Sequence, residues 1–354
     1  WFFQTVIPLL ATGGPGASRV ILLSACIFFL GASESASFSG DFFILMLLNT
    51  AFSQCYGFFL LKPEYSNGFK GILKQSIKGL CLSTVTLIGL FYIGLISEPF
   101  YAFALLVILH IYYIYRYKHI ANQYFLPLAI AEITISLFCL LLPYFASVAG
   151  LTSEQAPYQI YIIASMVGLF VVLWLTSLDE VQESLTIPFK NLRNISISTT
   201  ASIFAIFILP ASIKAIASPE VISIVALTIS CMSISMLIPR TYANKIMKNL
   251  AKSGLEISEF SQLSLFYRKL MFASAAIGLA ITVAYLYLVD SSLGIMIIVV
   301  PIAICAILVS AQLGFISLTF LSLQGADQQV AKMNLFVLII TGAFTVPVIL
   351  GVFN

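Results

Sequence analysis

Long apolar stretches dominate this chain, and its polar residues gather in short intervals between them. Eleven apolar runs can be read, at about 19–37, 42–61, 78–97, 100–117, 124–147, 157–177, 196–216, 219–238, 269–289, 292–320 and 331–353. Crossing a bilayer takes about 20 mostly apolar residues. A run in lipid must be helical, because every backbone N–H and C=O needs a partner within the protein. The pattern therefore predicts an all-α polytopic membrane protein. The opening WFFQTVIPLLATGGPG is apolar but too short to span. Residues 1–18 are predicted to form a short interfacial leader. Gly13-Gly14-Pro15-Gly16 ends it, since Gly and Pro together break a helix.

The polar intervals give the sidedness. Pro239–Lys269 is the longest of them and carries Arg240, Lys245, Lys248, Lys252, Arg268 and Lys269 against Glu256 and Glu259. Lys and Arg flanking membrane segments stay on the cytoplasmic side. With that loop inside, sixteen of the seventeen Lys and Arg residues fall on the same face, and only Lys214 lies toward the other. Glu34, Asp41, Glu98, Glu154, Glu220 and Asp290 fall in the outer turns. The N-terminus is then cytoplasmic.

A weak internal repeat adds a second level. LLKPEYSNGFKGILKQSIKGL at 60–80 is echoed by MLIPRTYANKIMKNLAKSGL at 236–255, each with Pro at a helix exit and Lys at helical spacing. Two duplicated halves are a common transporter plan, with the substrate path at their interface. The expected domains are an N-lobe at 19–177, an amphipathic cytoplasmic linker at 178–195 broken at Pro188, and a C-lobe at 196–354. Eleven spans in a chain opening at Trp1 and stopping at Asn354 read as a fragment, with a twelfth helix expected in the full length.

Composition narrows the class. The chain has 354 residues, 60% hydrophobic and 9% charged, and a mean hydropathy of +1.06. Soluble domains are roughly 25% charged, so this surface is built for lipid. The six cysteines lie singly in apolar runs, with two histidines and no Cys/His cluster, so no metal site is expected. No phosphate-binding Gly-rich loop or Ser/His/Asp pattern is present. The chain reads as a secondary transporter or flippase without cofactor, not as an enzyme or a nucleic-acid binder.

Ionisable residues inside spans are functional candidates, because an unpaired charge there is costly. Glu132 is the leading one, two turns into the fifth run, where a carboxylate needs a partner, a proton or water. His110 and Lys214 also lie in runs; the first can bond quietly to a neighbouring helix, the second can snorkel to the outer interface. Arg19 and Arg240 mark the cytoplasmic ends of the first and eighth runs, as topology anchors or as bidentate phosphate ligands. Asn49, Gln54 and Gln312 are uncharged polar residues within runs, suited to sugar hydroxyls or to bridging helices.

Three segments carry a family likeness: FFLGASESASFSGDFFILMLL, IPRTYANKIMKNLAKSG and FISLTFLSLQGADQQVAKMNLFVLIITGAF. In their order along the chain they resemble the polysaccharide-transporter branch of the multidrug/oligosaccharidyl-lipid/polysaccharide (MOP) exporter superfamily, the Wzx-like O-antigen flippases. The resemblance implies a MATE-like, two-lobed bundle of twelve helices around a cavity lined by helices one, two, seven and eight. It implies movement of undecaprenyl-diphosphate-linked oligosaccharide across the bacterial inner membrane by alternating access. Arg19, Lys214 and Arg240 stand near the positions where such a cavity carries cations. The implied partners are that lipid-linked substrate, membrane lipids, a polysaccharide polymerase and a chain-length regulator. A cation-coupled multidrug exporter of the same fold is the alternative. A membrane polymerase or ligase fits less well, because the outer turns are short and almost lack basic residues.

Overall fold

Where they are described, the long apolar runs fold into helices that follow one another in the predicted order, and most of the run at 331–353 lies outside the described residues. The computed structural model describes residues 6–65, 68–176, 186–213, 217–236, 257–289 and 296–313, with parts of 238–246 and 316–339. The helices are α1 (Ile7–Phe29), α2 (Ala32–Asn49), α3 (Cys55–Phe59), α4 (Phe69–Tyr92), α5 (Pro99–Asn122), α6 (Phe125–Val148), α7 (Ala156–Trp174), α8 (Phe189–Phe207), α9 (Leu209–Ser212), α10 (Pro219–Ser235), α11 (Ile257–Val289) and α12 (Met296–Leu313). No strand occurs among the described residues. Among the described residues, six helices are long and apolar enough to cross a membrane, with shorter apolar helices at Val221–Ser235 and Ile297–Ser310. The protein is a multi-pass, all-helical membrane protein.

The first two spans differ from the sequence expectation. The run at 19–37 is not one helix. Helix α1 begins at Ile7, continues through Gly13-Gly14-Pro15-Gly16 and ends at Phe29. The break falls instead at Gly31, whose φ of 112° is closed to residues with a Cβ. Residues 7–18 are thus part of a spanning helix. The rule that Gly and Pro end helices is a rule for water; in lipid, neighbouring helices resupply the backbone partners that Pro removes. Helix α2 then runs through a π-helical turn, Thr50–Gln54, directly into α3.

The remaining boundaries follow local chemistry. Helix α5 closes on Gln123 in the left-handed conformation, which turns the chain into α6. Helix α8 starts after Pro188, whose φ of −60° and ψ of 133° are extended, so residues 189–195, expected in the linker, belong to a helix.

Within the first half, α1 packs along α6, α6 on α7, and α5 on α7 and α4. In the second half α10 packs on α11 and α12, and α12 on α8. The halves meet where α1 and α2 lie on α10 and where α2 lies on α8 and α9. Side chains tie this junction at three levels. Thr12 Oγ1 and Thr241 Oγ1 are 2.6 Å apart, Ser196 Oγ donates to the Ala51 carbonyl at 2.6 Å, and Ser223 Oγ donates to the Ala32 carbonyl at 3.1 Å. Outward-facing side chains such as Phe28, Ile88, Phe145, Phe170, Ile277 and Leu288 are exposed, as lipid-facing surfaces require.

Candidate functional site

The site grows from a gap in the α1 backbone. Pro15 has no N–H, so the Ala11 carbonyl four residues earlier lacks its helical donor. Arg116, reaching from α5, fills the gap: its Nη2 donates to the Ala11 carbonyl at 3.2 Å and to the Thr12 carbonyl at 2.9 Å. The same guanidinium places Nε 4.0 Å from Glu132 Oε1 on α6. Tyr112, one turn before Arg116, donates its hydroxyl to Glu132 Oε1 at 2.6 Å. Tyr113 adds a ring face 5.7 Å from the Arg116 guanidinium.

Room for the carboxylate comes from Gly14. A Cβ at that position would overlap the Cβ and Cγ of Glu132. Glu132 therefore packs against bare α1 backbone, and only 2% of it is exposed. Arg19 completes the group from one turn further along α1. It is 7% exposed, its Nε donates to the Pro15 carbonyl at 2.6 Å, and its charge acts on Glu132. Three helices thus bring two guanidiniums, a carboxylate and a phenol together around one proline. All lie within spans: at 1.5 Å per residue, Arg19 is about 18 Å from the start of α1.

This places the sequence candidates. Glu132 is buried and paired, two turns from the start of α6. Arg19 is not at a helix end, as expected, but mid-helix, because α1 begins twelve residues earlier than it. Asn49 ends α2 fully buried, and neither amide atom has a hydrogen-bond partner. Gln54 closes the π turn, half-buried. Gln312 is buried, with Oε1 unpartnered. Lys214 and Arg240 lie outside the described residues. The structure brings Arg19 to the Pro15 carbonyl in the neighbourhood of Glu132 and leaves Asn49 and Gln54 at the two ends of the α2 π turn.

Sequence reasoning missed Arg116, which it counted only among the sixteen Lys and Arg of the cytoplasmic face. The available signal was the carboxylate itself: a buried Glu132 demands a cation, and Arg116 and Lys118 stand near the end of the preceding helix. His110 behaves as a bridge between helices. Its Nδ1 is 2.6 Å from Ser53 Oγ in the π turn, and its Nε2 is 3.0 Å from Ser76 Oγ on α4.

A second charged centre was also misplaced. Asp41 was expected in an outer turn, but it lies inside α2 and is fully buried. Its Oδ2 accepts from the backbone N–H groups of Ser97 at 2.8 Å and Glu98 at 3.3 Å, and from Tyr158 Oη at 2.6 Å. A carboxylate at the start of α5 satisfies orphan helix donors and faces the positive end of the helix dipole. That is an anchor between the middle of α2 and the starts of α5 and α7.

No protein-family model and no curated protein matches the chain. Among solved structures, the crystal structure of the eukaryotic MATE transporter AtDTX14 is similar in fold, with a TM-score of 0.59 over 91% of this chain and 82% of that one. The sequences are 13% identical, so the likeness is one of architecture.

Proposed function

We propose that this chain is a secondary transporter of the MOP superfamily, working by alternating access between its two halves. The observation that carries the reading is the MATE transporter fold extending over 91% of the chain. We take its substrate to be an undecaprenyl-diphosphate-linked oligosaccharide, moved from the inner to the outer leaflet of a bacterial inner membrane. The resemblance of the three segments quoted above supports that substrate class. So does the buried, unpartnered amide of Asn49, which can serve a sugar hydroxyl. Arg19, Lys214 and Arg240 are the cations assigned to the diphosphate, and a polysaccharide polymerase and a chain-length regulator are the partners such a substrate would entail.

The test is a leaflet assay on the purified protein in proteoliposomes, using a fluorescent polyprenyl-diphosphate sugar. Protein-dependent movement is expected; its absence would overturn the substrate assignment. A cation-coupled exporter of small molecules is the second reading, favoured by the Glu132–Arg116 pair, since a sealed carboxylate between guanidiniums can exchange a proton or cation during a cycle. Under that reading efflux of a small organic cation follows an imposed ion gradient, and the lipid-linked sugar stays in place.

A further inference from the structure

A cavity of about 500 Å³ opens between α2–α3, α4 and α8, away from the Glu132 site. Its size is that of a small-molecule pocket. It straddles the two halves: Ala51, Phe52, Cys55 and Tyr56 come from the first half with Gln75, Lys78, Gly79 and Leu82 of α4, while Phe189, Leu192, Arg193 and Ser196 come from α8.

The lining is graded with depth. The apolar runs at 78–97 and 196–216, which α4 and α8 lead into, both start on the side that the charge pattern assigns to the cytoplasm. On α4, Lys78 lies one turn nearer that side than Leu82, and positions four apart share a helix face. On α8, Arg193 likewise precedes Ser196. The cations therefore sit at the mouth, and the apolar wall of Leu82, Phe52 and Ala51 lies further in. Lys78 and Arg193 are exposed, and neither has a hydrogen-bond or ion-pair partner among the described residues. The mouth is built on both halves and fastened at its edge, where Gln75 Oε1 accepts from the Ile187 N–H at 3.0 Å.

Two unpaired cations above an apolar cleft, facing the leaflet that holds anionic lipids, match the two ends of an anionic phospholipid. We propose that this cleft is a binding site for an anionic phospholipid of the cytoplasmic leaflet, with the phosphate between Lys78 and Arg193 and an acyl chain against Leu82 and Phe52. Because its walls belong to different halves, the lipid holds α4 and α8 together and is released when they part. The cleft lies at the edge of the junction between the halves, where Ser196 meets Ala51, and it takes a lipid of the surrounding leaflet rather than the transported substrate.

The experiment uses the full chain with Trp1 and Trp174 replaced by Phe and a single reporter, Leu82→Trp, in vesicles of brominated phosphatidylglycerol or brominated phosphatidylcholine. Bromine quenches tryptophan on contact, so the ratio of quenching gives the lipid preference at the cleft. A several-fold preference for phosphatidylglycerol is expected, with loss of that preference in Lys78→Gln/Arg193→Gln and its retention in Lys78→Arg/Arg193→Lys. Equal quenching by the two lipids, or a preference unchanged in the double Gln variant, would overturn the proposal. Both substituted residues are exposed, so folding is preserved, and near-wild-type thermal unfolding of each variant checks this. Neither outcome depends on whether the protein moves a lipid-linked sugar.

Discussion

Glu132 is held by three neighbours of different kinds, and substitutions there separate charge from packing. Glu132→Gln keeps the volume and an acceptor for the Tyr112 hydroxyl but removes the counter-charge of Arg116, so its unfolding temperature in detergent should fall, though by less than that of Arg116→Ala, while transport in proteoliposomes falls at least tenfold. Arg116→Ala should be the more damaging change. It removes the donor for Ala11 and strands a buried carboxylate, and breaking a buried pair costs about 3–5 kcal/mol. Gly14→Ala adds one methyl group where Glu132 already lies, and overpacking costs about 1–3 kcal/mol. If Gly14→Ala unfolds at the wild-type temperature, the α1–α6 contact is not as close as described. Asp41→Ala should cost about 2 kcal/mol, in the range of lost helix caps, with Asp41→Asn intermediate in the same melting assay.

Helices are the scale at which the sequence was most legible, and the reasons for its failures are instructive. Lipid imposes a length and a composition on each span, so the order of the helices could be read directly. The start of α1 could not. Its continuity through Pro15 depends on Arg116, which sits four helices later, and no local rule contains that information. Asp41 failed for a similar reason: its partners are the backbone of residues 97 and 98, invisible to periodicity. Glu132 was legible because burial of a lone acid is a contradiction that demands resolution. The π turn at Thr50–Gln54 had no signal in the sequence. It places Ser53 against His110 and Ala51 against Ser196, and such turns often mark functional segments. Gly79 allows α4 to approach this segment, since a Cβ there would overlap the Phe52 carbonyl oxygen, a backbone atom with nowhere to go. Gly79→Ala should therefore lower the unfolding temperature. Gly89→Ala on the same helix meets nothing within 4 Å and should be neutral or raise it slightly, by the roughly 1 kcal/mol helical preference of Ala over Gly.

At the scale of the whole molecule, the hydrogen bonds seen among the described residues between the halves include Thr12–Thr241, Ser196–Ala51 and Ser223–Ala32, all between neutral groups. Weak, replaceable links suit halves that separate and rejoin. The Thr12–Thr241 link is nearest the start of α1, and its two hydroxyls are 2.6 Å apart. Cysteines at both positions, in a background with the six native cysteines replaced, should form a disulfide on oxidation. Transport in proteoliposomes should then stop and return on reduction. A cross-linked protein that transports at the unlinked rate would show that this junction does not open during the cycle.

The Arg116–Ala11 bond also has a place in the life of the chain before it is complete. The ribosome delivers Ala11 first and its donor 105 residues later, which at about 5–20 residues per second is an interval of roughly 5–20 s. Through that interval the nascent first helix carries a carbonyl with no donor, an expensive guest for hydrocarbon. Its insertion is therefore unfinished until the fifth and sixth helices arrive, and a nascent chain halted at residue 98 should remain with the insertion machinery, while one halted at residue 150 should be released into lipid.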